Sequence, residues 1–315
     1  MPPPDPGAPI LFHAPIGFAP APGSDPSEVI LRIAGIECRF DSGLVDWGDS
    51  AAASTDPIGP PPQAHEIKPA FAQSLMQPQG QGWLGERLRD FRVQSEGSGR
   101  RVEFGPDMVF RLNAAGDRID CISVPSAARL RREWLFGPAL LLALAARGIY
   151  ALHASALAVA AGAVLLLGPS GSGKSTLAGV ASSLGWGVLA DDVVPLCDRS
   201  GRTWVRPRFP QLKWRDPLAT ADCELPLAAL VFVERGEAAD RLLPIAISQV
   251  TRNLVRDTVA ARLFAPAELA AQLAFCARLA GSCPCRVLSL REVAPRDVEA
   301  EARAALLEIA GLIGR

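Results

Sequence analysis

Short apolar runs dominate the first third of the chain. Residues 29–33 and 36–40 read as two strands joined at Gly35. Residues 101–104 and 108–112 flank Gly105-Pro106-Asp107 and read as a hairpin, with a further strand over 118–122. The stretch 86–93 fits neither helix nor strand cleanly. From 126 to 146 the period lengthens, and Leu130, Trp134, Leu135, Leu141 and Leu142 line one side of a single predicted helix. Residues 150–159 and 163–167 are strand-like again and form a hairpin or adjacent strands, turning at Ala160-Ala161-Gly162. Beyond them the pattern predicts a helix over 176–184, strands over 188–190 and 227–233, a turn at 198–201, helical spacing within 245–260, a helix over 266–279, a strand over 286–290 and a final helix over 296–313.

Strands that alternate with helices imply an α/β core. The earlier run of strands implies a smaller β-rich N-terminal module. The expected organisation is a loose, disordered Pro-rich leader over 1–27, the β-rich module over 28–125 and the α/β core over 126–315. A second low-complexity stretch, 49–64, contains Pro60-Pro61-Pro62 and reads as a loop.

The candidate chemistry lies where the core begins. Gly168-Pro169-Ser170-Gly171-Ser172-Gly173-Lys174-Ser175 is a complete G-x-x-x-x-G-K-[ST] pattern, followed by Thr176. An apolar strand precedes it and a helix follows. Its backbone N–H groups and the helix N-terminus favour a polyphosphate, Lys174 would reach the β- and γ-phosphates, and the Ser175 hydroxyl would hold Mg²⁺. A second feature follows the helix: the short strand Val188-Leu189-Ala190 stops on adjacent carboxylates, Asp191 and Asp192. Two consecutive residues at a strand end face opposite sides, so one can meet a metal and the other an incoming nucleophile. The alternative is a solvated Asp-Asp turn.

These residues resemble a known family. The segment Tyr150-Ala151-Leu152-His153-Ala154-Ser155-Ala156, the Gly168–Ser175 loop and Leu189-Ala190-Asp191-Asp192, seventeen positions from Lys174 to Asp191, look like the HPr serine kinase/phosphorylase group. The resemblance runs from about 150 to 234. It implies a phosphate-loop core of the HPr-kinase C-terminal type, with ATP and Mg²⁺ as cofactors. It implies Asp192 as general base toward a serine hydroxyl, with Asp191 and His153 assisting at the metal and phosphates and Ser175 on Mg²⁺. The acceptor it implies is a serine of a protein or peptide, either HPr-like or a ribosomally made precursor such as a lasso precursor. Homo-oligomers are common in that family. Two departures weigh against phosphorylase activity and against HPr itself: Thr176 stands where the bifunctional enzymes usually have Glu, and the downstream Gly-rich signature is not visible. A nucleotide-binding regulator, a slow NTPase and a small-molecule kinase are the alternatives. A guanine-reading N-K-x-D segment and the transporter signature L-S-G-G-Q are both absent from the sequence.

Composition narrows the setting. A net charge of −1 over 315 residues gives no electrostatic reason to expect nucleic acid. The seven cysteines are scattered and the N-terminus lacks a signal-peptide pattern, so reduced thiols in the cytoplasm are expected. Cys283-Pro284-Cys285 has no second pair to complete a zinc site. The apolar region 135–167 is interrupted by Arg147 and His153, so no membrane span is expected. His153 could be an ordinary core histidine, although histidine suits a site beside a moving phosphoryl group because its charge changes near neutral pH. His13 and His65 read as surface residues. The cations of 204–215 (Arg206, Arg208, Lys213 and Arg215) could grip a substrate or simply face solvent, as could Arg252 and Arg256. Glu234, at a strand end, is a weaker metal candidate.

Overall fold

The computed structural model describes residues 10–13, 29–33, 36–40, 44, 80–84, 87–105, 108–123, 128–207, 209, 221, 223–236 and 242–313. The expected loop at 49–64, His65, most of the 1–27 leader and Arg208, Lys213 and Arg215 lie outside these residues. The fold is mixed α/β and rich in strands.

Eight strands form the first sheet: β1 (Ile10–His13), β2 (Val29–Ile33), β3 (Ile36–Phe40), β4 (Gly80–Leu84), β5 (Arg87–Glu96), β6 (Gly99–Phe104), β7 (Val109–Leu112) and β8 (Arg118–Ser123). Their order is β2-β3-β1-β8-β7-β6-β5-β4. Strand β1 falls within the expected leader. Its apolar Ile10-Leu11-Phe12 runs parallel to both β3 and β8 and fills the gap between them, so long-range pairing decides its state. The undecided stretch 86–93 belongs to β5 from Arg87 onward, held between β4 and β6, and Glu86 lies outside the described residues.

The helix expected over 126–146 is two helices, α1 (Ala128–Trp134) and α2 (Leu140–Ala146), joined by a π-helical turn over Leu135–Ala139. Gly137 leaves helical conformation there, at φ −87° and ψ −111°. Pro138 follows it; proline has no N–H to donate and its ring disfavours helical backbone before it. The apolar period survives the break. Trp134, Leu135, Phe136, Leu140 and Leu144 are buried against Phe40, Phe110, Leu112 and Ile119 of the first sheet.

The second sheet comprises β9 (Ile149–Leu152), β10 (Ala154–Val159), β11 (Gly162–Leu167), β12 (Gly187–Ala190), β13 (Val194–Arg199), β14 (Arg202–Val205), β15 (Leu225–Arg235), β16 (Leu242–Pro244) and β17 (Cys285–Leu290). The order β12-β10-β11-β15-β14-β13-β9 is extended by β17, which pairs with β15, and by β16, which pairs with β17. The strand-like stretch 150–159 is thus split at His153. Strand β9 pairs with β13, whereas β10 pairs with β11 and β12.

Helices α3 (Lys174–Ser183) and α6 (Val298–Ile313) cover one face of this sheet, and α4 (Ile247–Asp257) and α5 (Pro266–Ala280) the other. Along β11, Ala163, Leu165 and Leu167 pack toward α4 and α5, while Val164 and Leu166 pack toward α3 and α6. Burial on both faces is the reason the strand reads as a continuous apolar run. A bidentate ion pair ties the two sheets' elements together: Arg100 of β6 donates to both oxygens of Glu268 in α5, each at 2.5 Å.

Strands β11, β15 and β17 are mutually parallel. Their carboxyl ends therefore point the same way, and loops leaving that edge enclose a crevice. No helix among the described residues is long and apolar enough to cross a membrane.

Candidate functional site

The Gly168–Ser175 loop leaves β11 at this edge and runs into α3. Gly168 has φ +138°, and a Cβ there would lie 2.3 Å from the carbonyl oxygen of Val233 in β15. Only glycine lets the loop pass this close to the neighbouring strand. Gly173, at φ +108°, occupies the N-cap position of α3, and no side chain caps the helix. The first N–H groups of the helix are thus left for another acceptor, as in anion sites at helix N-termini.

The Lys174 Nζ donates to the Gly168 and Pro169 carbonyl oxygens at 2.7 and 3.0 Å, folded back on its own loop. The Ser172 hydroxyl is buried with no hydrogen-bond partner among the described residues. Ser172 lies behind the cavity rather than on its lining, so the groups the loop offers a phosphate are its backbone N–H donors and Lys174.

The two aspartates part company. Asp191 is 1% exposed. Its Oδ1 accepts hydrogen bonds from Ser155 and, at 3.2 Å, from Ser175, while Oδ2 is buried with no hydrogen-bond partner among the described residues. A buried carboxylate oxygen left bare is costly unless a cation or donor meets it. Asp192 takes a left-handed conformation, φ +69°. Its side chain is 22% exposed and its Oδ1 lies 3.3 Å from His153 Nδ1. The same Nδ1 lies 3.0 Å from the Asp192 carbonyl oxygen. Both oxygens are acceptors, so Nδ1 carries the hydrogen. The His153 backbone N–H donates to the Asp257 carbonyl at 2.8 Å, which fixes the histidine at the break between β9 and β10.

These groups share an open cavity of about 390 Å³. From the loop come Ser170, Gly171, Gly173, Lys174, Ser175 and Thr176, and from beyond it His153, Asp192 and Arg235. Most of the expected site residues share this cavity, while Gly168, Ser172 and Asp191, the last buried beside Ser175, do not line it. The arrangement can take up a polyphosphate, and it sets a carboxylate at the mouth.

A magnesium ion, as the resemblance implies, suits the donor set. The unpartnered Asp191 Oδ2 and the Ser175 hydroxyl bound to the same carboxylate are hard oxygen donors, and magnesium completes its shell with phosphate and water. Among the described residues no three His, Cys, Asp or Glu side chains cluster to hold a metal unaided.

Two residues of the site escaped the sequence reading. Ser155 is a lone hydroxyl in an apolar strand, and only that contrast marked it. Arg235 was overshadowed by Glu234, which accepts a hydrogen bond from Ser289 at 3.4 Å and does not line the cavity. Among the cations expected to grip a ligand, Arg206 is buried and paired with Glu224 at 2.7 Å, and Arg256 pairs with Asp257 at 2.8 Å.

No family model matches the chain, and no curated protein matches it. Among solved structures, it is similar to the Hpr(Ser) kinase/phosphatase from Coxiella burnetii, over 51% of this chain and 99% of that chain, at 14% identity and a TM-score of 0.29. A likeness this slight carries no functional argument.

Proposed function

We propose that the protein is an ATP-dependent kinase that transfers the γ-phosphoryl group to a serine hydroxyl of a protein or peptide, with residues 126–315 as its catalytic core. The observation that carries this reading is the division of labour between the two aspartates across one cavity. Asp191 is buried, bonded to Ser175 and bare at Oδ2, whereas Asp192 is partly exposed beside the loop. Transfer to a hydroxyl needs a base, and this second carboxylate lines the same cavity as the loop.

In this reading the loop N–H groups and the α3 N-terminus hold the phosphates, and Lys174 exchanges its two loop carbonyls for phosphate oxygens. Ser175 and Asp191 would hold Mg²⁺, which would neutralise phosphate charge. Transfer breaks the bond from the γ-phosphorus to the bridging oxygen of ATP and forms one to the serine oxygen, whose proton passes to Asp192. His153 holds Asp192 through Nδ1–H to its backbone carbonyl and stands 3.3 Å from its carboxylate. Positioning and charge neutralisation supply most of the rate, since the reaction asks little covalent chemistry of the protein. The exposure of Asp192 suits an acceptor too large to be enclosed.

The test is transfer of label from γ-labelled ATP in the presence of Mg²⁺, with and without serine-containing peptides or HPr. Label on serine supports the kinase. Free phosphate released at one rate whatever acceptor is present would instead make the protein an NTPase.

A further inference from the structure

We infer that Arg235 is a second cationic contact for the terminal phosphate, and that it makes the site prefer a nucleoside triphosphate to a diphosphate. This rests on the nucleotide reading above and adds to it a residue that the loop pattern does not contain.

The sheet puts Arg235 there. Strand β15 runs parallel to β11, with Phe232 opposite Leu167 at the last pairing before the loop. Arg235 is three residues further on, past the end of β11, where the chain of β15 overhangs the loop that β11 has just entered. Its guanidinium lines the same cavity as Lys174, Ser175 and Asp192. Its Nη2 lies 3.6 Å from where a Cβ on Gly173 would be, which sets it at the α3 N-terminus.

The guanidinium is lightly committed. Among the described residues its one hydrogen bond is from Nη1 to the Arg291 carbonyl, a long 3.4 Å, and it joins no ion pair. Five donors in a planar fork suit a phosphate, and one weak bond leaves most of them available. The described cations lining the cavity are Lys174 and Arg235. Lys174 belongs to the loop that embraces the phosphates nearest the helix. A γ-phosphate adds negative charge that Lys174 would otherwise meet alone, and Arg235 enters from a different strand to share it. Glycine at 173 keeps the approach open, since a side chain there would press on Leu290 and stand beside the guanidinium.

The experiment compares binding of ATP and ADP, each with Mg²⁺, to the full chain and to Arg235→Gln and Arg235→Lys by calorimetric titration. The wild type is expected to prefer ATP. Arg235→Gln is expected to weaken ATP about tenfold, the loss of a charge-assisted contact of about 1.5 kcal/mol, and to leave ADP within about twofold. Arg235→Lys should restore part of the difference. Equal losses for ATP and ADP would mean that Arg235 only braces the β15 end against Arg291, and unchanged preference in both variants would mean that it contacts no phosphate. Either overturns the inference while leaving the nucleotide reading intact. A wild type that binds neither nucleotide would sink both. If Arg235→Gln does not fold, the lysine variant carries the comparison, and it should lose part of the ATP preference.

Discussion

The hydroxyl of Ser155 is hydrogen-bonded to Oδ1 of Asp191, and both residues are fully enclosed between β10 and the end of β12. The serine thereby fixes which carboxylate oxygen is occupied from within the protein and which is left bare. Ser155→Ala should leave Oδ1 with Ser175 alone and free the carboxylate to turn. A lost buried hydrogen bond of this kind costs about 1–3 kcal/mol. We expect Mn²⁺ binding in the presence of nucleotide, read by electron paramagnetic resonance, to weaken about tenfold, with the thermal midpoint lowered only modestly. Unchanged metal affinity would mean that Asp191 holds its orientation without Ser155.

Asp192 offers an unusually clean substitution. Asparagine tolerates positive φ better than most residues, so Asp192→Asn removes the charge at φ +69° without forcing the backbone to move. Turnover should fall about 10²- to 10⁴-fold, the usual worth of a general base, while ATP affinity stays nearly constant. Steady-state rates alongside equilibrium titration separate the two. Near-full turnover in this variant would remove Asp192 from the role of base.

The Arg100–Glu268 pair joins β6 to α5, and its side chains are 8% and 17% exposed. Glu268 Oε2 also accepts from the Ala265 backbone N–H at 3.0 Å at the start of α5. Arg100→Ala therefore strands a carboxylate that serves two purposes. Removing one partner of a buried pair costs about 3–5 kcal/mol, which urea unfolding will show. A double variant with Glu268→Gln should recover part of that loss.

Stability should respond to acid through Glu224. Burial alone would raise its pKa, but the hydrogen bond and charge of Arg206, and then those of Arg199, outweigh it and lower the pKa below the ordinary 4.5. The folded chain then holds fewer protons on this carboxyl than the unfolded chain. Its contribution is complete above about pH 4.5 and is lost as pH falls toward the lower folded value. Glu224→Gln should lower the urea midpoint at pH 7 and make the midpoint less dependent on pH below 4.5. Parallel curves for the two proteins would show that the pair with Arg206, at 2.7 Å, adds nothing to stability.

What could be read from the sequence was local. The Gly168–Ser175 loop and the Asp191-Asp192 pair are contiguous, and the strands and helices around them show in the period of their apolar residues. Strand β11 announces itself because both of its faces are buried. The break at Gly137-Pro138 was written in the residues, but the apolar period across it was strong enough to read as one helix. Strand β1 could not be read, because four residues in a Pro-rich setting become a strand only when β3 and β8 receive them. Ser155 and Arg235 were hidden for a related reason: each does its work against residues that the sheet, and not the chain, places beside it.

The three glycines of the loop answer to different masters. A Cβ at Gly168 would strike the Val233 carbonyl at 2.3 Å, and one at Gly173 would meet Leu290 Cδ1 at 2.8 Å, whereas one at Gly171 would meet nothing within 4 Å. Gly168 is demanded by a backbone oxygen of β15 that cannot yield, whereas the Leu290 methyl beside Gly173 can swing aside, and there the left-handed φ of +108° is what favours glycine. Tolerance to alanine at 168 thus reports on how the sheet is assembled. Of the three, Gly171 is where the molecule keeps empty space that its own packing does not require.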